Sequence, residues 1–179
     1  MTCEITPHHY ALVDEDILRA ELAYDSRYKM NPPLRSAADV EAMLGGLADG
    51  AIDAIATDHA PHALHEKRQE FDKAPFGVTG LETALALAIT LLHERGRLPL
   101  RRIVELLSTN PAQILKLEGR GTLAKGSVAD VVLFDPKRRW KYDAGRSRSK
   151  SHNSPFDGWP LTGEVMATIV GGRIVYRES

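Results

Sequence analysis

The stretch Ala51-Ile52-Asp53-Ala54-Ile55-Ala56-Thr57-Asp58-His59 decides the fold class of this chain. Its apolar part is short and ends at once in polar residues, which is typical of a buried parallel strand rather than of a helix. Upstream, Ser36 and Asp39 have the spacing of a capping box, and apolar residues follow at helical intervals as far as Asp49-Gly50. A helix followed by a buried strand is half of a βαβ unit, so the sequence predicts an α/β fold.

Other elements are predicted on both sides of this strand. A short strand is expected at Thr2–Thr6, and a largely buried helix at Leu81–Leu92, where nearly every residue is apolar. Pro99 and Asn110-Pro111 each precede an apolar run, which predicts two short helices with proline near the first turn.

The pattern changes near residue 120, from helices to β-branched runs separated by glycine. We therefore expect two domains, 1–119 and 120–179. In the second, a strand is predicted at Val128–Phe134, ended by Asp135-Pro136, and a hairpin turns at Gly171-Gly172, because both positions tolerate positive φ.

Composition narrows the class of protein. The 179 residues are 43% hydrophobic and 26% charged, with a net charge of −1, which favours a globular cytoplasmic protein and gives no reason to expect nucleic acid or a membrane as partner. The segment 137–150 holds seven basic residues and one acid, and it is predicted to be an exposed loop. The single cysteine, Cys3, is expected to be a small buried strand residue.

Asp58 is the first candidate for chemistry. A carboxylate at the end of a barrel strand can bind a metal ion with one oxygen and accept the proton of a nucleophilic water with the other. Its alternative role is a cap on the following loop or helix. One aspartate and nearby histidines cannot fill a zinc site that needs three or four donors, so the other donors lie elsewhere in the chain or in a missing part of the protein.

Several phrases that occur in order along the chain point to a family. They are Lys29-Met30-Asn31-Pro32-Pro33-Leu34-Arg35, Asp58-His59-Ala60-Pro61-His62, Ala74-Pro75-Phe76-Gly77 and Ser108-Thr109-Asn110-Pro111-Ala112. Together they closely resemble the class I bacterial dihydroorotases of the amidohydrolase superfamily. The resemblance runs from Thr2 to about Tyr176, nearly the whole chain.

This resemblance implies a fold and an activity. The chain would be the C-terminal part of a (β/α)8 barrel, with strands 7–8 and the following helices, plus part of a small β-domain. The reaction would be the reversible hydrolysis of dihydroorotate to N-carbamoyl-L-aspartate in pyrimidine biosynthesis, with one or two zinc ions in the intact enzyme. A homodimer and an association with aspartate transcarbamoylase are the partners it suggests.

The resemblance also assigns roles by position. Asp58 would be the zinc ligand and general acid/base, Asn31 and His62 would bind the substrate, and the backbone at Phe76-Gly77 would contact its ring. The ordinary alternatives are that His62 stabilises its loop and that Asn31 starts a turn. His59 is assigned a structural role.

Three further expectations concern nearby residues. His8 and His9 are expected to pack and hydrogen bond beneath the site rather than to ligate metal. Glu4 corresponds to a residue that binds an additional metal in some relatives, which we treat as a minor alternative. The polar segment 63–75 is predicted to close over bound substrate.

The sequence also departs from the family. The His-x-His motif of the first barrel strand, the carboxylated lysine or aspartate of the fourth, and the histidines of the fifth and sixth are absent. We therefore expect a truncated chain that binds zinc poorly and is inactive alone. The alternatives are another cyclic amidohydrolase, such as an allantoinase or hydantoinase, and a non-catalytic dihydroorotase-like subunit that scaffolds aspartate transcarbamoylase.

Overall fold

Two sheets of different kind organise the chain, and the computed structural model describes residues 1–19 and 23–178 of it. Strands β1 (Glu4–Ile5) and β2 (Ala54–Ile55) pair in parallel, with Ile5 opposite Ile55. The second sheet is antiparallel, in the order β3-β4-β5, and consists of β3 (Val131–Lys141), β4 (Pro160–Val170) and β5 (Arg173–Arg177). The fold is mixed α/β, as the sequence predicted.

The helices are short except for α3. They are α1 (Pro7–Ala11), α2 (Asp16–Arg19), α3 (Ala37–Asp49), α4 (Leu64–Lys67), α5 (Ala84–Ala88), α6 (Leu100–Val104) and α7 (Asn110–Ile114). There are 3-10 turns at Ser26–Tyr28 and Ala144–Arg146, and π-helical turns at Ile89–His93 and Glu105–Thr109. Among the described helices, none has the length and apolar character needed to cross a membrane.

Helix α3 is capped at both of its ends. The Ser36 hydroxyl accepts a hydrogen bond from the Asp39 backbone N–H at 3.3 Å, and the Asp39 carboxylate accepts one from the Ser36 N–H at 3.2 Å. At the other end, Gly50 adopts the left-handed conformation, with φ of 89°. The predicted capping box is confirmed. The buried face of the helix consists of Val40, Leu44 and Leu47.

The β1–α3–β2 unit is a parallel crossover whose strands are shorter than predicted. Backbone bonds extend the pairing from Asp53 N–H to the Cys3 carbonyl at 2.9 Å and from Ala56 N–H to the Ile5 carbonyl at 3.0 Å. The expectation that Cys3 is buried is wrong, because only two residues of β1 pair and Cys3 lies exposed just before them.

The buried helix predicted at Leu81–Leu92 begins three residues later, as α5, and continues through the π-helical turns to His93. Strand β4 crosses it at very close range. A Cβ on Gly163, whose φ is 91°, would lie 2.4 Å from the Ile89 Cδ1 atom. The Thr162 N–H also donates to the Thr90 hydroxyl at 2.8 Å. Glycine at position 163 therefore lets the small sheet reach the helical core.

The two short helices predicted around the prolines form one continuous helical run. Helix α6 follows Pro99, and α7 contains Pro111 in its first turn, as expected. The residues between them, Glu105–Thr109, are helical as well, in the π form. A proline has no N–H to donate, and the wider turn before Pro111 lets the helix pass it without a break.

Strand β3 is longer than predicted, because Pro136 does not end it. The pairing with β4 shifts register between Asp135 and Arg139, and a proline is tolerated at such an irregularity since it removes no regular ladder bond. The predicted loop at 137–150 is therefore wrong in its first five residues, which are strand. The hairpin at Gly171-Gly172 is confirmed, with φ of 55° and 77°.

His8 and His9 lie in helix α1 and are both buried. His9 bonds the Thr6 hydroxyl through Nδ1 at 2.6 Å and the Pro32 carbonyl through Nε2 at 2.9 Å, in keeping with the expected structural role. The Nε2 atom of His8 has no hydrogen-bond partner among the described residues. Burial, together with the neighbouring His9, lowers the pKa of His8 from 6.5 to about 3.

We predict that Ser36→Ala lowers the free energy of unfolding by about 1 kcal/mol, because the α3 N–H groups lose their cap. Urea unfolding followed by circular dichroism measures this. Ser108→Ala, at an exposed helical serine whose hydroxyl makes no hydrogen bond within the described residues, is the matched control and should change stability by less than about half a kcal/mol.

His8 should make the fold acid-labile. Since its folded pKa is lowered, the unfolded state binds a proton that the folded state does not, and stability falls as the pH drops from 6.5 towards 3. His8→Leu should remove about 2 to 3 kcal/mol of that loss at about pH 4.5 and none of it above about pH 7.5. His9→Leu breaks two hydrogen bonds and should destabilise at both pH values. Equal pH dependence in wild type and His8→Leu would contradict the assignment.

Candidate active site

Asp58 lies just past the carboxyl end of β2, and its backbone is unusual. Its φ is 46°, in the left-handed region that non-glycine residues seldom adopt. The residue is exposed, and its carboxylate accepts no hydrogen bond from any described residue. A strained, unpartnered carboxylate at a strand end is available for a ligand, a substrate or a proton.

The residues after Asp58 pair with a second backbone segment. His59 and Val78 form a parallel bridge, and the Ala60 N–H donates to the Val78 carbonyl at 2.9 Å. The His59 ring accepts the Gly80 N–H at its Nδ1 atom, at 3.1 Å, which fits the structural role predicted for it. A Cβ on Gly80 would lie 2.7 Å from the Thr57 carbonyl oxygen, so the two backbones touch.

This pairing brings three of the predicted substrate-binding residues together. The Nε2 of His62 donates to the Phe76 carbonyl at 2.8 Å, which fixes the proton on that nitrogen and leaves Nδ1 facing Glu66 Oε2 at 3.9 Å. Gly77 has φ of 110°, and a Cβ on it would lie 2.4 Å from the Ala60 Cβ. No residue other than glycine fits there without moving the backbone.

Two buried lysines hold the segment that carries Phe76 and Gly77. Lys67 Nζ donates to the Pro75 carbonyl at 2.9 Å and to the Gly77 carbonyl at 3.0 Å. Lys29 Nζ donates to the Asp72 and Ala74 carbonyls at 2.9 and 2.7 Å. These bonds fasten the segment 63–77 at several points, and any closure of 63–75 over a ligand has to work around them.

Burial of a lysine disfavours its charged ammonium form, and Lys67 is affected in this way. Burial, reinforced by the positive charge of Lys29, lowers the pKa of Lys67 from 10.5 to about 8. At neutral pH the ammonium form still predominates and donates to the carbonyls. Lys29 also lies over the ring of Phe76, with Nζ 4.6 Å from its centroid, so a cation faces the exposed aromatic ring.

Asn31, the fourth predicted substrate-binding residue, comes close to this group through the backbone. The Gly77 N–H donates to the carbonyl of Lys29, two residues before Asn31, at 2.9 Å. Asn31 itself is exposed, and its side chain makes no hydrogen bond within the described residues. Its amide is therefore free for a ligand.

Asn153 is a residue of this site that the sequence did not single out. It is 5% exposed, and its side chain bonds the Ala60 and Gly77 carbonyls and the His62 N–H. An asparagine in a serine-rich stretch is typical of an ordinary turn, so no pattern around residue 153 predicts this contact. Only the folded chain brings residue 153 beside residues 60–77.

A metal site is not completed by these residues. Within 1–19 and 23–178, no three histidine, cysteine, aspartate or glutamate side chains come close enough together to hold a metal ion. Asp58 is a suitable single oxygen donor, but zinc needs three or four ligands. The side chains described here therefore do not by themselves fit a zinc ion.

Comparison with known proteins identifies the family of this chain. The model of the amidohydrolase family matches residues 2–175. The dihydroorotase of Geobacter sp. (strain M21) is 54% identical over 177 residues, covering 99% of this chain and 40% of the relative. The dihydroorotase of Solibacter usitatus is 51% identical over 172 residues, covering 96% and 39%.

Solved structures give the same picture. The L-hydantoinase from Arthrobacter aurescens superimposes with a TM-score of 0.92 at 34% identity, over 99% of this chain and 40% of that one. A D-hydantoinase from Thermus sp. gives a TM-score of 0.85 at 28% identity, over 98% and 39%. The chain thus spans about 40% of the length of the relatives it matches. Since the family model covers nearly all of its residues, the chain belongs to the amidohydrolase family.

Proposed function

We propose that these residues serve a dihydroorotase, which hydrolyses dihydroorotate to N-carbamoyl-L-aspartate and catalyses the reverse ring closure in pyrimidine biosynthesis. The observation that carries the proposal is the placement of the free Asp58 carboxylate at a strand end, on the loop whose His62 bonds the Phe76 carbonyl. The dihydroorotases that are about half identical along the whole chain support this substrate.

The fold part of the proposal is that β1 and β2 are strands 7 and 8 of a (β/α)8 barrel. Their parallel pairing around α3 supports it, because parallel strands joined by a helix are the repeating unit of that barrel. We further propose that residues 120–179 are part of a small β-domain, since the antiparallel sheet β3–β5 lies entirely after residue 120.

Asp58 would act as the general acid/base. In the hydrolytic direction its carboxylate removes a proton from the attacking water, the new C–O bond forms at the ring carbonyl, and the ring C–N bond breaks. The same carboxylic acid then returns the proton to the leaving nitrogen, so charge and atoms balance. Its exposure and lack of a hydrogen-bond partner among the described residues leave one carboxylate oxygen free for this transfer and the other free for a metal ion.

The remaining predicted residues would bind the substrate. Asn31 offers an amide that can bond ring carbonyl or N–H groups, and His62 offers Nδ1, because its Nε2 is already used on Phe76. At Gly77 both backbone polar groups are occupied, the N–H by Lys29 and the carbonyl by Lys67 and Asn153. The substrate ring would therefore pack against the Gly77 Cα atom, which carries no side chain.

Asp58 would be one of the ligands of a zinc ion. Members of this family are generally metal-dependent, and zinc would supply activation of the attacking water. The described residues contribute too few donors for such an ion. We also propose two protein partners: a second copy of the chain, or aspartate transcarbamoylase.

Hydantoin hydrolysis is the second candidate, because the L-hydantoinase from Arthrobacter aurescens superimposes so closely. Both reactions open a cyclic amide, and they differ in ring size and in the substrate carboxylate. Assaying the full-length protein that contains these residues against dihydroorotate and 5-substituted hydantoins separates the two. Turnover of hydantoins without turnover of dihydroorotate would overturn the dihydroorotase proposal.

Asp58→Asn is expected to lower kcat for dihydroorotate about 10²- to 10⁴-fold in that protein, because an amide cannot accept the proton. The measurement is the absorbance change on ring opening under saturating substrate. Asp53→Asn, in the same strand segment but bonded to the Cys3 N–H, is the matched control and should keep kcat within about threefold. Equal losses in both variants would mean that Asp58 has only a structural role.

The 179-residue chain by itself is expected to show no turnover, because its described residues bring no three metal donors together. Purified chain incubated with zinc and dihydroorotate tests this, with equilibrium dialysis to measure bound zinc. One tightly bound zinc per chain together with turnover would contradict the expectation.

A further inference from the structure

We infer that Asn153 is a positioning residue for this site, acting through His62 and Gly77. The inference rests on the proposed function for its kinetic consequence, while its structural part can be tested without turnover. Asn153 lies in the segment between the 3-10 turn Ala144–Arg146 and β4, far from the site in sequence.

The Asn153 side chain makes three hydrogen bonds, which use both of its N–H donors and its carbonyl oxygen. Its amide nitrogen donates to the Ala60 carbonyl at 3.0 Å and to the Gly77 carbonyl at 3.1 Å. Its amide oxygen accepts the His62 backbone N–H at 3.2 Å. The side chain thus joins the loop after Asp58 to the segment that presents Phe76 and Gly77.

The backbone of Asn153 reinforces the same connection, because its carbonyl accepts the Thr79 N–H at 3.0 Å. With the residue only 5% exposed, water has little access to replace these bonds. Loss of the side chain would leave the Ala60 carbonyl and the His62 N–H without a partner among the described residues and the Gly77 carbonyl with Lys67 alone, at the point where Gly77 and Ala60 touch.

Only asparagine fits this set of partners. Aspartate has the same shape, but as a carboxylate it has no donor, and it would face two carbonyl oxygens. Glutamine has the same groups on a chain longer by one methylene, so its amide cannot occupy the position that the Asn153 amide has between these three partners without rearrangement. A residue that only fills space needs no particular polar groups. Position 153 requires two donors and one acceptor at fixed distances from the backbone, which indicates a positioning role.

The effect on catalysis follows from geometry. His62 and the Phe76-Gly77 backbone would contact the substrate, and Asn153 sets the distance between them without touching the substrate itself. A shift of about 1 Å in such groups can cost on the order of a hundredfold in rate. Asp58 precedes the residues that Asn153 bonds, Ala60, His62 and Gly77. We therefore expect loss of Asn153 to weaken substrate binding more than it slows proton transfer.

The test uses the full-length protein that contains these residues, with the variants Asn153→Ala and Asn153→Asp. We expect KM for dihydroorotate to rise at least about tenfold in both, with kcat changed less, and Asn153→Asp to be no better than Asn153→Ala. Asn110→Ala is the matched control, because Asn110 donates one comparable hydrogen bond, to the Asp53 carbonyl at 2.8 Å, and does not contact Ala60, His62 or Gly77. It should lower Tm without raising KM.

A second measurement does not depend on activity. Amide hydrogen exchange of His62 should be slow in the wild-type protein and at least about tenfold faster in Asn153→Ala, whereas in Asn110→Ala it should stay slow. If Asn153→Ala does not fold, Asn153→Ser, which keeps a short hydroxyl donor, replaces it in both measurements.

The outcomes separate the two proposals. Fast His62 exchange with a raised KM supports the positioning role. Unchanged exchange and KM in folded Asn153 variants overturns it, and so does a raised KM in Asn110→Ala of the same size. A wild-type protein that does not turn over dihydroorotate overturns the proposed function, while the exchange result still decides whether Asn153 holds the His62 loop.

Discussion

The site depends on the direct contact of two backbone segments, 57–60 and 77–80. Gly77 and Gly80 allow this contact, because a Cβ on either would overlap Ala60 or the Thr57 carbonyl. With no side chains between them, His59 can bridge to Val78 and the Asp58 and Phe76 regions become neighbours. The position of every candidate residue except Asn31 follows from this approach.

Backbones that approach so closely must satisfy their polar groups, since an unpaired buried carbonyl costs about 1 to 3 kcal/mol. The ordinary ladder cannot do so, because only one bridge forms. The Lys67 ammonium group and the Asn153 carboxamide supply the missing donors: the Gly77 carbonyl accepts from both, and the Ala60 carbonyl accepts from Asn153. Burial and the positive charge of Lys29 lower the pKa of Lys67, while its ammonium group stays bonded to the Pro75 and Gly77 carbonyls.

Much of the fold could be predicted from local patterns. The capping box of α3, a parallel strand within 51–56 and the glycine hairpin each depend on a few neighbouring residues, and each was confirmed, the strand over two residues only. The errors arose where distant contacts override local preference. Pro136 lies within a strand because β4 shifts its register opposite it, and Pro111 is passed by a π-helical turn.

The candidate site divides in the same way. Asp58, His62, Phe76 and Gly77 fall within one stretch of 20 residues, and motifs of that length can be identified in a sequence. Asn153 and the two lysines could not be identified, because a buried donor is defined by the carbonyls around it, and those are known only once the chain has folded. Lysine in a polar segment otherwise predicts exposure, and here Lys67 is buried.

The bond between Asn153 and His62 spans 91 residues of sequence, which has a consequence for biosynthesis. A ribosome adds residues from the N-terminus onward, so the Asp58 and Phe76 segments leave the exit tunnel well before their common clamp has been made. During that interval the residues of β1, β2 and α3 have already been synthesised, but the His62 N–H does not yet have the Asn153 side chain as its hydrogen-bond acceptor. Of the described segments, the His62 loop would therefore be among the last to become ordered.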